Sequence, residues 1–116
     1  MKLRDVVNEL LIDPRKFTGY ALNPDVDRGR DKAVLFQEYL GFTRDNYQDL
    51  MRQIEDQAMA ADAIPKEYNE HGRRYRVDLL IKGVRPNQQE IVRTGWIVKP
   101  GDDVARLVTL YIPRRK

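Results

Sequence analysis

His71 is the one histidine in the chain, and it stands beside Gly72-Arg73-Arg74 at the start of an arginine-rich stretch. An imidazole titrates near neutral pH, so it is the natural group for moving a proton. Arg74, Arg76 and Arg93 carry guanidinium forks that match phosphate oxygens and can offset the charge of a pentavalent phosphorane. Thr109 and Tyr111 add hydroxyls able to donate to the same group. The chemistry these types suggest is proton transfer at a phosphate held by cations and hydroxyls. A plainer reading makes His71 an exposed loop residue and the arginines a solvated sheet face, and residue types alone leave both open.

Other chemistries find less material. The chain has no cysteine, which excludes disulfide scaffolds, Cys-based zinc sites, iron–sulfur clusters and thiol nucleophiles, and is compatible with a reducing cytoplasm. Serine is absent too, so there is no serine nucleophile. From His71 onward the carboxylates are Asp78, Glu90, Asp102 and Asp103, a poor set for a hydrolytic metal, and neither a metal nor another cofactor is expected. There is no Walker loop and no dinucleotide fingerprint. Gly29-Arg30-Asp31-Lys32 opens a helix whose first N–H groups could bind an anion, although such segments more often simply start a helix.

Charge is divided unevenly. Residues 1–70 hold 10 Lys/Arg against 14 Asp/Glu, a balance of −4, whereas residues 71–116 hold 11 against 4, a balance of +7. A basic half joined to an acidic one steers an anion toward one side, and the functional reading is a phosphate-rich partner, nucleic acid before others. The competing reading is solubility plus pairing between the halves, with Arg114-Arg115-Lys116 a frayed tail. Met1-Lys2-Leu3-Arg4-Asp5 meets charge before any apolar run, which does not read as a signal peptide. No apolar run approaches the roughly 20 residues of a membrane span, so a soluble protein is expected.

The elements that must position these groups differ between the halves. Asp13-Pro14 pairs a favoured N-cap with proline at the first helical position, predicting a short helix through Phe17 and Tyr20 toward Asn23-Pro24. After a loop from Pro24 to Gly29, Ala33, Phe36 and Leu40 recur at helical spacing and Gly41 closes that helix. Thr43 can cap a third helix, with Tyr47, Leu50, Met51, Ile54 and Ala58 on one stripe. Val6, Val7, Leu10 and Leu11 fit either a helical face or a short edge strand. From about Tyr68 the period becomes two. Tyr75, Val77, Leu79 and Ile81 alternate with Arg74, Arg76 and Asp78; Val92, Thr94, Trp96 and Val98 with Ile91, Arg93 and Gly95; and Val108, Leu110 and Ile112 with Leu107, Thr109 and Tyr111.

One domain over residues 1–116 follows, with a helical part at 1–66 and a sheet part at 67–116. Its class is α+β: three N-terminal helices packed on one face of a C-terminal antiparallel meander of three to four strands. The helices would cover Tyr75, Val77, Trp96, Val98 and Leu110, leaving Arg74, Arg76, Arg93, Thr109 and Tyr111 facing water or a ligand. A single bulge would flip every later residue.

Together, several segments resemble a bacterial family of small uncharacterised domains found alone beside a small partner gene or at the C-terminal tips of large secreted toxins. They are Lys16 with Tyr20-Ala21-Leu22-Asn23, Gly29-Arg30-Asp31-Lys32-Ala33, Leu40-Gly41-Phe42, His71-Gly72, Tyr75-Arg76-Val77, Thr94-Gly95-Trp96 and Leu107-Val108-Thr109-Leu110-Tyr111. That family in turn is similar to the toxin ribonuclease superfamily of barnase, EndoU, colicin D and RelE, which cleaves RNA without metal on an exposed sheet face. The resemblance implies His71 as general acid/base, Arg74 or Arg76 on the phosphate, and Thr109 and Tyr111 near the scissile group. Lys16 and Lys32 match basic positions of the family, and Arg93 and Arg106 complete the substrate-binding set expected here. Relatives tend to have Asn-Gly where this chain has Asn87-Gln88. The implied activity is a toxin-type endoribonuclease acting in the cytoplasm through 2′-OH attack, with RNA and a small acidic antitoxin or immunity protein as partners. A non-catalytic RNA- or partner-binding module is the alternative.

Overall fold

Alternation of buried with more exposed positions from Tyr75 onward, broken once in the last strand, builds the centre of a five-stranded sheet in the computed structural model, which describes residues 1–26 and 30–113. Gly29, in the loop and anion-binding segment singled out above, and the basic Arg114-Arg115-Lys116 lie outside the described residues. In chain order the strands are β1 (Glu9–Leu11), β2 (Ile64–Asn69), β3 (Gly72–Lys82), β4 (Gln89–Val98) and β5 (Val104–Tyr111). Between β1 and β2 come a π-helical segment (Phe17–Ala21) and two α-helices, α1 (Arg30–Leu40) and α2 (Tyr47–Gln57). Short 3₁₀ turns occupy Leu3–Asp5 and Ala58–Ala60.

The α+β class holds, but the arrangement differs from the expected one in three respects. The helices lie mid-chain, because the second of the ambiguous apolar pairs near the start, Leu10-Leu11, forms β1, while Val6 and Val7 stay outside it. The sheet is mixed: its order is β1-β5-β4-β3-β2, and β1 runs parallel to β5 through Glu9↔Val104, Leu10↔Ala105 and Leu11↔Arg106. Strands number five, because β2 begins at Ile64, inside the part assigned to helices. A parallel edge strand needs a long crossover, and all the helices sit in that crossover.

Local signals explain the helix boundaries. The Asp13 carboxylate accepts the Arg15 backbone N–H at 2.9 Å, as an N-cap does. Gly41 sits at φ +75° after α1, and the Phe42 amide donates back to the Phe36 carbonyl at 3.2 Å. Thr43 caps only a turn, accepting the Asp45 N–H, and α2 starts later at Tyr47. Phe17, Phe36, Phe42, Leu50 and Ile54 pack with Trp96, Val77 and Ile81 into one buried core. Within it the Trp96 indole N–H donates to the Thr94 hydroxyl (2.8 Å), which donates to the Val77 carbonyl (2.6 Å), so a buried polar chain is satisfied. No helix among the described residues is long and apolar enough to cross a membrane.

One bulge repositions the last strand. Gly95 pairs with Thr109 but Trp96 pairs with Leu107, so Val108 is the extra residue. Leu107 therefore faces the core (4 % exposed), correcting the expectation that Val108 does and Leu107 does not. Thr109, Tyr111 and Leu110 lie beyond the bulge and keep their expected faces.

Candidate functional site

Pairing across the uncovered face defines three rows: Arg74–Ile97–Arg106, Arg76–Gly95–Thr109 and Asp78–Arg93–Tyr111. At about 4.8 Å per strand, Arg76 and Thr109 stand roughly 10 Å apart, with only a glycine between them. A Cβ on Gly95 would come within 3.0 Å of the Thr109 methyl, so the missing side chain leaves a trough. The resulting groove of about 590 Å³ is lined by Arg74, Arg76, Arg93, Thr109 and Tyr111, with Lys66 and Glu67 of β2 along one side.

Beyond the β5 side of the groove lies the helical crossover. Because β1 is only three residues long, it pairs with Val104 to Arg106 and leaves the later part of β5 without a strand neighbour on that side. The π-helical segment and α1 fill the space, and Lys32 reaches over from α1. Its ammonium donates to the Tyr20 hydroxyl at 2.6 Å and to Thr109 Oγ1 at 3.3 Å. It also lies 4.5 Å from the Tyr20 ring centroid and 5.1 Å from that of Tyr111. A second hollow of about 640 Å³, lined by Arg15, Lys16, Tyr20 and Thr109, continues from this point.

Beside the groove, Asp78 organises two of the cations. Its carboxylate takes a fork from Arg93, Nε at 3.0 Å and Nη2 at 3.3 Å, and Arg76 Nε stands 3.7 Å away. The Asp78 carboxylate, with a smaller contribution from Tyr111, raises the Arg93 pKa above its ordinary value against the lowering effect of partial burial. Arg74 has no side-chain partner among the described residues and remains available to a ligand, while Lys16 lies in the field of the Asp13 carboxylate. Arg76 Nε is buried without a hydrogen-bond partner.

Arg74, Arg76, Arg93, Thr109 and Tyr111 thus share one groove, and Lys32 joins them from α1. Lys16 borders the neighbouring hollow. Arg106 lies on the same face next to Leu11 and near Asp102 (4.0 Å), one row removed from Arg76, and does not line the groove. His71 is not brought there. It occupies the turn between β2 and β3, 74 % of its side chain is exposed, and its ring nitrogen lies 3.6 Å from Glu70. Gly72 is already four residues, roughly 13 Å, along β3 from Arg76. Its φ of +128°, in a turn where a Cβ would meet the Val98 carbonyl at 2.1 Å, accounts for the glycine beside this histidine as a matter of backbone geometry.

Lys66 and Glu67 are groove residues that residue types did not single out. They lie in a strand with all six residues exposed, so no periodic signal sets them apart. Among the described residues no three His, Asp or Glu side chains converge as a metal site requires.

An α+β domain with helices behind a mixed sheet and a cationic groove on the open face is the class of protein this structure defines. The chain belongs to the family described as a domain of unknown function, DUF6883, whose model matches residues 2–114. No curated protein and no solved structure matches it.

Proposed function

We propose that this chain is a metal-independent endoribonuclease of toxin type, with its centre in the open groove rather than at His71. The observation that carries the reading is the Lys32 ammonium, 3.3 Å from Thr109 Oγ1, at the rim of a trough floored by Arg76 and Arg93. Glu67, on the β2 side, has no side-chain partner among the described residues. A base on the β2 side and an acid at the β5 rim suit an in-line displacement, in which nucleophile and leaving group lie on opposite sides of phosphorus.

In this mechanism the Glu67 carboxylate takes the proton of a ribose 2′-OH, and the 2′-oxygen bonds to the adjacent phosphorus. The bond from phosphorus to the 5′-oxygen breaks, and Lys32 gives that oxygen its proton. Arg74, Arg76 and Arg93 offset the growing negative charge, while Thr109 and Tyr111 donate to the phosphoryl oxygens. The products are a 2′,3′-cyclic phosphate and a 5′-hydroxyl; exchange with water restores both side chains. The partners are RNA and, in a cell that must contain the activity, a small acidic protein covering the basic face, in the cytoplasm of the producing or a targeted cell.

The test is incubation of purified protein with total tRNA and ribosomal RNA in EDTA, with DNA of matched length beside it. The reading predicts cyclic-phosphate ends on RNA and intact DNA. RNA bound but left whole would favour the binding-module alternative.

A further inference from the structure

β2 is the outermost strand of the sheet, with β3 on one side and no strand neighbour on the other among the described residues. All six of its residues, Ile64 to Asn69, are exposed, and Tyr68, at 65 %, is the most exposed of the large hydrophobic side chains described. A bare edge of this length is a template for a further strand. Proline, charged side chains and bulges are the usual devices that keep such edges apart. β2 has all three: Pro65, the pair Lys66-Glu67, and a register shift between Pro65 and Tyr68. Here they are arranged so that the strand matches another copy of itself.

The bulge decides this. Side chains opposite one another across an antiparallel pair share a face, and a two-fold axis normal to the sheet leaves faces unchanged. In a regular strand such an axis cannot fall between consecutive residues, because those point to opposite faces. β2 is not regular. Ile64 and Asn69 stand opposite Arg76 and Gly72, at open-face positions, and Pro65 and Tyr68 opposite Tyr75 and Arg73, at helix-side positions. Between them Lys66 and Glu67 both border the groove. The order of faces therefore reads the same in either direction: open, helical, open, open, helical, open. A two-fold axis between Lys66 and Glu67 sets Lys66 against Glu67 of a second copy, Pro65 against Tyr68, and Ile64 against Asn69, each pair on one face.

Charge and shape agree with that register. Lys66 and Glu67 have no side-chain partner among the described residues, and the axis gives each an opposite charge. The Tyr68 ring has the Arg73 guanidinium 4.8 Å from its centroid, and a proline ring suits the face that remains. A foreign strand would gain nothing from this symmetry, so the occupant is a second copy. We infer that two copies of the chain associate through antiparallel β2 edges into one ten-stranded sheet, with both cationic grooves on the same side. A six-residue edge buries less than the roughly 1,000 Å² of a stable interface, so the dimer is weak, with a dissociation constant on the order of 100 µM. Pairing occupies Glu67, so the ribonuclease reading makes the monomer the active form; that reading stands unaltered if no dimer exists.

The experiment is sedimentation equilibrium of the whole chain at low salt, from about 10 µM to about 1 mM. Wild type should pass from monomer to dimer across that range. Lys66→Glu and Glu67→Lys each place two like-charged pairs beside the axis and should weaken association at least about tenfold. The double variant, which exchanges the two charges, should restore it. Both positions are exposed, so all three variants should fold, and thermal unfolding checks that they do. A wild-type monomer throughout the range overturns the inference. So does a dimer indifferent to either reversal, or a charge-exchanged variant that stays monomeric.

Discussion

Replacing Lys32 with methionine removes the ammonium while keeping an apolar stem of similar length, and the structure gives the cost in two currencies. The 2.6 Å bond to the Tyr20 hydroxyl is charge-assisted and short, whereas the 3.3 Å bond to Thr109 is long and adds little. A hydrogen bond to a charged group contributes about 1.5–3 kcal/mol net, and a cation over an aromatic ring about 0.5–1 kcal/mol at a partly exposed site. Since the ammonium serves both roles at once, we expect about 2 kcal/mol lost, a fall in Tm of roughly 8 °C for a chain of this size. If Lys32 is the proton donor, cleavage should fall by at least about 100-fold, the low end for a positioned acid. Lys32→Arg separates charge from proton transfer: it should still bind RNA yet cleave poorly, because a guanidinium does not release its proton in a protein. The assay is single-turnover cleavage of a labelled oligoribonucleotide alongside thermal unfolding. Cleavage by Lys32→Met within about threefold of wild type refutes Lys32 as the acid, and an unchanged Tm refutes the tie between α1 and the π-helical segment.

Other consequences are as direct. His71→Ala should change cleavage by no more than about twofold, since an exposed turn histidine lacks the reach a general acid or base needs; a drop near 100-fold would return it to the centre. Arg74→Gln and Arg76→Gln should each shallow the salt dependence of RNA binding by about 0.7 in the slope of log K against log salt, one phosphate contact apiece. Thr94→Val strands the Trp96 indole N–H and the Val77 carbonyl and should cost about 2 kcal/mol or more in urea unfolding. Arg15, by hydrogen bonding first through its side chain and then through its backbone N–H, holds Asp13 at about 2 rather than 3.8. That contribution to stability is present above the ordinary carboxylate value and lost as pH falls through about 2, and a carbon-detected titration should show Arg15→Ala raising the midpoint only part of the way to the ordinary value, because the residue-15 backbone N–H still donates to the carboxylate.

Much of the sheet could be read because its signal is local. Tyr75, Val77, Leu79 and Ile81 are apolar at every second position, and pairing to Val92, Thr94 and Trp96 follows from a short hairpin. The bulge left no such mark: Leu107 and Val108 are consecutive apolar residues, and either one can face the core. The parallel edge strand was equally hidden, because Val6, Val7, Leu10 and Leu11 satisfy a helical and an extended pattern alike, and the β5 partner that decides between them lies some ninety residues on. For the site, alternation placed Arg74, Arg76 and Arg93 on one face, and the even offset past the bulge kept Thr109 and Tyr111 with them. What alternation cannot give is reach. Lys32 meets Thr109 across 77 residues of chain because a three-residue β1 leaves an edge for α1 to occupy. His71 stands three residues from Arg74 in sequence yet ends in a turn, since an extended strand moves about 3.3 Å per residue away from it.

The most direct test of the account is an amide-shift map of the protein titrated with a 2′-O-methyl oligoribonucleotide, which keeps every phosphate but lacks the nucleophile. The account predicts that the shifts cluster on Lys32, Arg76, Arg93, Gly95, Thr109 and Tyr111, on the uncovered side of the sheet. Shifts confined to the turn around His71 or to the helical side, with those residues silent, would contradict it.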